Sequence, residues 1–122
     1  MARIMIADDS DAIRMVLKDV LQIGHHEIAG EASNGMEAVR MFDSSKPDVV
    51  LLDIAMPKKD GLAALKEIMA KDPNAKVIMI TASDNLKTIN ECISAGALAY
   101  ILKPFDFEDV LKSISMVLEK HL

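Results

Sequence analysis

The 122-residue chain carries a formal net charge of -5, with 51% hydrophobic and 27% charged residues. This composition predicts one domain over residues 1–122 that is globular rather than disordered. The acidic excess disfavours broad attraction to nucleic acid or anionic membranes. No apolar stretch approaches the roughly 20 residues that cross a bilayer, and no signal-peptide pattern begins the chain. We therefore expect a cytoplasmic monomer whose partners are proteins.

The first half of the chain alternates strand-like and helical patterns. Residues 4–7 form an apolar strand, and Asp9, Ser10 or Asp11 then caps a helix that Gly24 ends. Residues 27–32 are less apolar, which is typical of an edge strand. A second helix follows the turn at residues 34–35, and residues 49–52 form the next apolar strand. The positions predicted to face the core on the two helices are Ile13, Val16, Leu17, Val20, Leu21, Ala38, Val39 and Phe42.

The second half repeats this alternation. A loop over residues 55–60 leads to a helix opening at Gly61, and apolar residues 77–80 form the fourth strand. The next helix ends at Gly96, residues 100–102 form the fifth strand, and Asp106 caps the last helix. The positions predicted to face the core on these three helices are Leu62, Leu65, Ile68, Met69, Leu86, Ile89, Ile93, Phe107, Val110, Leu111, Ile114, Val117 and Leu118.

Five strands alternating with five helices predict an α/β doubly wound fold with a parallel sheet and helices on both faces. Four of the strands stop on polar residues: Asp8 and Asp9, Asp53, Thr81, and Lys103. Since ligands of open α/β sheets bind at the carboxyl ends of the strands, these side chains should converge at one edge. Three acids beside one lysine indicate a divalent-cation site with a nucleophilic carboxylate and a point charge for a phosphoryl group.

The residues at the strand ends also carry a family resemblance. The chain resembles the receiver domains of two-component response regulators, and among them the single-domain, CheY-like chemotaxis regulators. The resemblance implies a flavodoxin-like (βα)5 sandwich with strand order 2-1-3-4-5, an order of which the CheY-like fold is itself an example. It also implies a single receiver domain without an output domain. The matching motifs are Asp8-Asp9, Asp53-Ile54-Ala55-Met56-Pro57, Asp60-Gly61, Thr81-Ala82 and Lys103-Pro104-Phe105.

The resemblance implies a role for each acidic residue. Asp53 would be the phosphoacceptor, and Asp8, Asp9, Asp53 and the backbone carbonyl of Ala55 would hold Mg²⁺, with Mn²⁺ as the alternative metal. A divalent ion would offset the mutual repulsion of the carboxylates. For Asp9, capping of the following helix is an alternative role, and the two roles are compatible.

The remaining matches concern the response to phosphorylation. Thr81 and Lys103 would contact the phosphoryl group, and the small Ala82 would leave room for it. Tyr100 matches an aromatic switch position, and the Lys103–Pro104 peptide should be cis. The alternatives are an ordinary strand-forming threonine, a solvated lysine, and an interface tyrosine that does not switch.

The predicted function is a phosphorylation-activated response regulator rather than an enzyme. A histidine kinase of the CheA type would be the phosphodonor, and a flagellar motor, switch or adaptor protein the target. A phosphorelay shuttle is the alternative within the family. A phosphotransferase or phosphatase would need a general acid two residues beyond Asp53, where Ala55 stands. An unphosphorylated scaffold would leave the acidic cluster without a use.

Other chemically distinctive residues fit ordinary packing or solvation. Cys92 is the single cysteine and is expected in the core. The 9 methionines are also expected mostly in the core. The adjacent Lys58 and Lys59 could help steer a donor domain. The histidines lack the neighbours of a zinc site and are expected in solvent: His25, His26 and His121.

Overall fold

In a computed structural model that describes residues 1–119, five strands alternate with five helices. The predicted alternation is therefore confirmed, with boundaries within a residue or two of those expected. The elements in chain order are β1 (Arg3–Ala7), α1 (Asp11–Ile23), β2 (Glu27–Ala32), α2 (Gly35–Ser45), β3 (Val49–Leu52), α3 (Gly61–Lys71), β4 (Val77–Thr81), α4 (Leu86–Ser94), β5 (Ala99–Leu102) and α5 (Phe107–Leu118).

The strands form one parallel sheet in the order β2-β1-β3-β4-β5, as the resemblance implied. Ala7 at the end of β1 pairs with Leu52 at the end of β3, and Thr81 at the end of β4 pairs with Leu102. The carboxyl ends of β1 and β3 are therefore level with each other, while β4 and β5 extend two residues further in the same direction, because Leu52 pairs with Met79. The order reverses between β1 and β3, which is where sheets of this class open a binding crevice.

The central strands bury both faces, so alternate residues supply two cores on opposite sides of the sheet. Met5, Ala7 and Leu52 pack in one core with α2 and α3 residues such as Phe42 and Leu65. The other core is formed by the residues of β1, β3 and β4 that point to the opposite face, packed against the inner faces of α1 and α5. It includes Ile4, Ile6, Leu51, Ile80, Leu17, Leu21, Val110 and Ile114. Because both faces of the sheet are covered, the edge at the carboxyl ends of the strands is the open surface near the polar residues.

The helix starts differ in detail from the predictions. Of the three capping candidates for α1, Ser10 occupies the N-cap, and its side chain accepts from the Ile13 N–H. Asp9 is therefore free of that role. Asp106 does precede α5, but its side chain makes no capping hydrogen bond. Gly24 follows α1 as expected, whereas the left-handed backbone conformation at this turn falls on His25, with φ 60°.

Several apolar residues predicted to face the core are exposed instead. On α4, Leu86 is 69% and Ile93 48% exposed, and Cys92 is the buried residue of that helix. This helix lies over the β5 edge, where the sheet offers too little surface to cover its whole apolar stripe. Val16 on α1 and Phe107 at the start of α5 are also exposed, at 47% each. The prediction that the methionines are mostly internal is wrong for Met1, Met15, Met36 and Met116.

The expectation of solvated histidines is wrong for His26. Its Nδ1 accepts a hydrogen bond of 3.1 Å from the Ala2 N–H, which ties β1 to the turn before β2. Burial, helped by the positive N-terminus, lowers the pKa of His26. His121 lies outside the described residues. Within residues 1–119, no helix combines the length and hydropathy needed to span a bilayer.

Candidate functional site

The polar strand ends do converge at one edge of the sheet. Asp8 follows β1, Asp53 follows β3, Thr81 ends β4 and Lys103 follows β5. Asp8 and Asp53 are buried, with exposed fractions of 1% and 4%, and Thr81 is equally buried. Their burial follows from their position at the ends of central strands, with a core on either side.

Three carboxylates form a cluster at this edge. Each of Asp8, Asp9 and Asp53 contributes an oxygen, and these oxygens lie within 4.8 Å of one another. The Asp8 carboxylate accepts from the Ser10 N–H at 2.9 Å, and that of Asp53 from the Ile54 N–H at 2.8 Å. Asp9 is the exposed member of the cluster, which is therefore open to solvent. An all-oxygen set with one open side fits Mg²⁺, which keeps several waters when bound to proteins.

Lys103 provides the positive charge within this cluster. Its Nζ lies 2.6 Å from Asp8 Oδ2 and 3.3 Å from Asp53 Oδ2. Burial alone would lower the pKa of Lys103, but the hydrogen bond to Asp8 and the charge of Asp53 outweigh it and raise the pKa. The ammonium therefore stays charged. The Lys103–Pro104 peptide is cis.

The ionised form of the Asp53 carboxyl is electrostatically disfavoured at this position. Burial, followed by the charge of Asp8, raises the pKa of Asp53 above its ordinary value, while Lys103 and the Ile54 N–H act in the opposite direction. A further cation in the cluster would lower this pKa again and favour the ionised, nucleophilic form. The positive charge of a divalent metal would therefore stabilise the ionised carboxylates of this site.

Tyr100 connects β5 to the loop between β4 and α4. Its hydroxyl donates a 2.7 Å hydrogen bond to the Ser83 carbonyl, so the ring is tucked against the loop and partly buried. The Ser83 N–H in turn donates to Thr81 Oγ1 over 3.4 Å. Ala82, between them, is exposed. Thr81 and Tyr100 are therefore joined through one short segment of backbone.

The loop between β3 and α3, which carries Ala55, is held closely against its surroundings. The Ile54 carbonyl accepts from the Gly61 N–H at 2.8 Å, and the Lys59 carbonyl accepts from the Gly35 N–H at 3.0 Å. A Cβ atom at Gly61 would lie 1.9 Å from the Asp53 carbonyl, and one at Gly35 would lie 2.1 Å from the Lys59 carbonyl. Only glycine permits these approaches. Sequence reasoning placed Gly61 at a helix start and Gly35 in a turn, but missed that both pack against this loop.

Arg14 is a residue near the site that sequence reasoning did not single out. Its guanidinium donates to the backbone carbonyl of Asp8 and pairs with Asp11 and with Glu31 on β2. These partners come from three elements, so no local pattern reveals the contact. Lys59, considered for steering a donor, pairs with Glu67 on α3.

The fold and the strand-end cluster define a signalling receiver domain. The chain belongs to the response regulator receiver domain family, whose model matches residues 4–115. It is 44% identical over 115 residues to the chemotaxis protein CheY of Thermotoga maritima, covering 94% of this chain and 96% of that protein. Identity to the chemotaxis protein CheY of Listeria monocytogenes is also 44%, over 93% and 96% of the two chains.

A solved structure shows the same likeness in three dimensions. The Borrelia burgdorferi CheX–CheY–BeF3–Mg²⁺ complex contains a chain that matches this one with a TM-score of 0.94 and 36% identity. The match covers 97% of this chain and 90% of that chain. The protein is therefore a CheY-like receiver domain in sequence and in fold.

Proposed function

We propose that this protein is a phosphorylation-activated response regulator in which Asp53 accepts a phosphoryl group from a histidine kinase. The observation that carries the proposal is the position of Asp53. It is a buried carboxylate at the end of a central strand, with Asp8 on one side and the Lys103 ammonium 3.3 Å away. A carboxylate with a raised pKa beside a fixed cation is suited to nucleophilic attack on phosphorus.

Asp8, Asp9, Asp53 and the backbone carbonyl of Ala55 would hold a divalent cation, Mg²⁺ or alternatively Mn²⁺. The clustered carboxylate oxygens support this assignment, because hard oxygen ligands suit both ions. The bound ion would neutralise charge on the phosphoryl oxygens during transfer. The Ser10 and Ile54 N–H groups keep the Asp8 and Asp53 carboxylates in place.

In the transfer step, a carboxylate oxygen of Asp53 attacks the phosphorus of a phosphohistidine. The new O–P bond gives an acyl phosphate as the P–N bond breaks, and the electron pair of that bond remains with the donor imidazole. The Lys103 ammonium binds a phosphoryl oxygen as a compact point charge. No side chain of this protein has to move a proton for the transfer.

The added charge then changes the loop between β4 and α4. Thr81 turns its hydroxyl to the phosphoryl group, and the exposed, small Ala82 leaves room beside it. The Ser83 backbone links Thr81 to Tyr100, so a change at the strand end reaches the surface formed by α4, β5 and α5. Leu86, Ile93 and Leu102 are exposed there and offer apolar contact to a target.

The target is proposed to be a separate chemotaxis protein, such as a flagellar motor, switch or adaptor component. The support is similarity over nearly the whole length of two CheY proteins. A CheA-like kinase would be the donor. A pull-down with and without beryllofluoride tests the target, and capture of a histidine phosphotransferase instead would indicate a phosphorelay.

Phosphorylation itself is tested with a small phosphodonor and Mg²⁺, followed by intact mass spectrometry. The wild-type protein should gain one phosphoryl group, and Asp53→Asn should gain none. Asp84→Asn, which changes an exposed aspartate in the β4–α4 loop, serves as the control and should be labelled normally. Equal labelling of Asp53→Asn and wild type would overturn the assignment of Asp53.

A further inference from the structure

Arg14 lies at the junction of β1, α1 and β2, next to the acidic cluster. Its side chain is only 14% exposed, although arginine is usually at the surface. The guanidinium donates to the Asp8 carbonyl, to the Asp11 carboxylate and, over 3.3 Å, to Glu31 Oε1. A planar fork with several donors can serve three acceptors at once.

The bond to the Asp8 carbonyl has a direct geometric effect on the cluster. This carbonyl belongs to the peptide group that joins Asp8 to Asp9, so fixing it fixes the direction in which the chain enters Asp9. The Asp8 carboxylate is held by Ser10 and Lys103, whereas the Asp9 side chain is exposed. The placement of Asp9 therefore depends on the backbone of this turn.

We propose that Arg14 is a positioning residue for divalent-cation binding, acting through the peptide between Asp8 and Asp9. The proposal rests on the metal site of the proposed function. Groups that orient metal ligands from outside the coordination sphere commonly contribute strongly to metal affinity. Arg14 contacts the peptide of the ligands rather than the metal, so it holds the turn in the binding geometry before the ion arrives.

Charge and positioning predict opposite effects of removing Arg14. If the guanidinium acted only as a nearby positive charge, it would repel the ion, and its removal would tighten Mg²⁺ binding. If it acts by positioning, its removal weakens binding despite the lost repulsion. Asp11 and Glu31 already neutralise the guanidinium, so the repulsive contribution is small.

Lys18 offers a matched control one turn further along α1. Its Nζ pairs with the same Glu31 carboxylate, 3.1 Å from Oε2, and it is less buried than Arg14. Lys18→Gln therefore removes one positive charge and one ion pair to Glu31, as Arg14→Gln also does, while leaving the Arg14 contacts to the Asp8 carbonyl and to Asp11 intact. Arg14→Lys keeps the charge but not the fork.

The experiment is calorimetric titration of each protein with MgCl2, well below the melting temperature of every variant. Circular dichroism spectra establish that the variants are folded. Arg14→Gln should weaken Mg²⁺ binding roughly tenfold, Lys18→Gln should stay within about twofold of wild type, and Arg14→Lys should resemble Arg14→Gln.

Each other outcome has a defined meaning. Unchanged or tighter binding in Arg14→Gln would overturn the positioning role and leave the proposed function intact. Wild-type affinity in Arg14→Lys would overturn the need for the planar guanidinium, because a single ammonium donor would then hold the Asp8 carbonyl equally well. Equal weakening in Lys18→Gln would assign the effect to Glu31 and reject the Asp8 carbonyl contact. A wild-type protein that does not bind Mg²⁺ would overturn both the metal site and this inference.

Discussion

Replacing Lys103 by methionine removes the one cation that contacts the buried carboxylates among residues 1–119. Methionine keeps an unbranched apolar side chain but carries no charge. Asp8 and Asp53 then face each other without the ammonium that now lies 2.6 Å and 3.3 Å from their Oδ2 atoms. We expect the metal-free variant to be clearly less stable than wild type at neutral pH.

The magnitude follows from the burial of the carboxylates. Removing one partner of a buried ion pair costs about 3 to 5 kcal/mol. Proton uptake sets an upper limit, since protonating a carboxyl of ordinary pKa 3.8 at neutral pH costs about 4 kcal/mol. We therefore expect a loss of about 3 kcal/mol, or a fall in Tm of roughly 10 °C for a domain of this size.

Urea denaturation without metal measures this loss, with Lys71→Met as the control. Lys71 Nζ lies 2.7 Å from Asp43 Oδ2, a distance similar to that in the Lys103 pair, but both side chains are exposed. An exposed pair contributes about 1 kcal/mol or less. Mg²⁺ should stabilise Lys103→Met more than wild type, because the ion replaces the missing positive charge.

The reasoning is refuted if Lys103→Met loses no more stability than Lys71→Met. Burial of the Asp8 and Asp53 carboxylates would then not govern the electrostatics of the cluster. A loss that Mg²⁺ does not reduce would contradict the prediction that the ion binds beside the same carboxylates.

Three further predictions concern individual contacts. Burial and Asp8 raise the pKa of Asp53, so protonated Asp53 stabilises the fold below pH 3.8, and this contribution is lost as the pH rises through the folded-state pKa. In urea titrations without metal, Asp53→Asn should therefore be more stable than wild type at neutral pH and should have no such advantage in acid. Tyr100→Phe should cost about 1 kcal/mol and speed amide exchange around Ser83, because the hydroxyl bond is lost. Because burial lowers the pKa of His26, the wild type should lose stability as the pH falls below 6.5, and the stability of His26→Gln should vary less with pH.

An opposite result in any of these three experiments would reject the physical cause assigned to it. A destabilised Asp53→Asn at neutral pH would show that Lys103 more than compensates for burial of the carboxylate. Unchanged exchange in Tyr100→Phe would show that the hydroxyl does not hold the loop. Identical pH profiles for His26→Gln and wild type would show that burial of His26 does not couple folding to its protonation.

The sheet and its polar edge were predictable because both depend on local sequence. Buried parallel strands are short, continuous apolar runs, and the residue after each run is placed automatically at the carboxyl end. Asp53 and Lys103 are 50 positions apart in numbering but meet because their parallel strands end at the same edge of the sheet. The strand order came from the family resemblance, since periodicity alone does not order strands.

Helix burial was less predictable, because it depends on how much sheet lies beneath each helix. Periodicity on α4 identified an apolar stripe, but it could not show that Leu86 and Ile93 extend past the sheet edge. Arg14 and His26 were missed for a different reason. Both bind backbone groups, the Asp8 carbonyl and the Ala2 N–H, and a sequence pattern carries no record of such tertiary partners.

The glycine contacts to the loop between β3 and α3 hold one side of the binding edge more closely than the other. Gly61 and Gly35 lock the β3–α3 side through backbone bonds of 2.8 Å and 3.0 Å, with no room for even a methyl group. On the other side, the backbone after Thr81 is held through side chains: the Ser83 and Asn85 N–H groups donate over 3.4 Å, and the Ser83 carbonyl accepts from the Tyr100 hydroxyl over 2.7 Å. If Asp53 is phosphorylated as proposed, we expect the β4–α4 side of the edge to be displaced more than the β3–α3 side, where the two glycine contacts leave no space for movement.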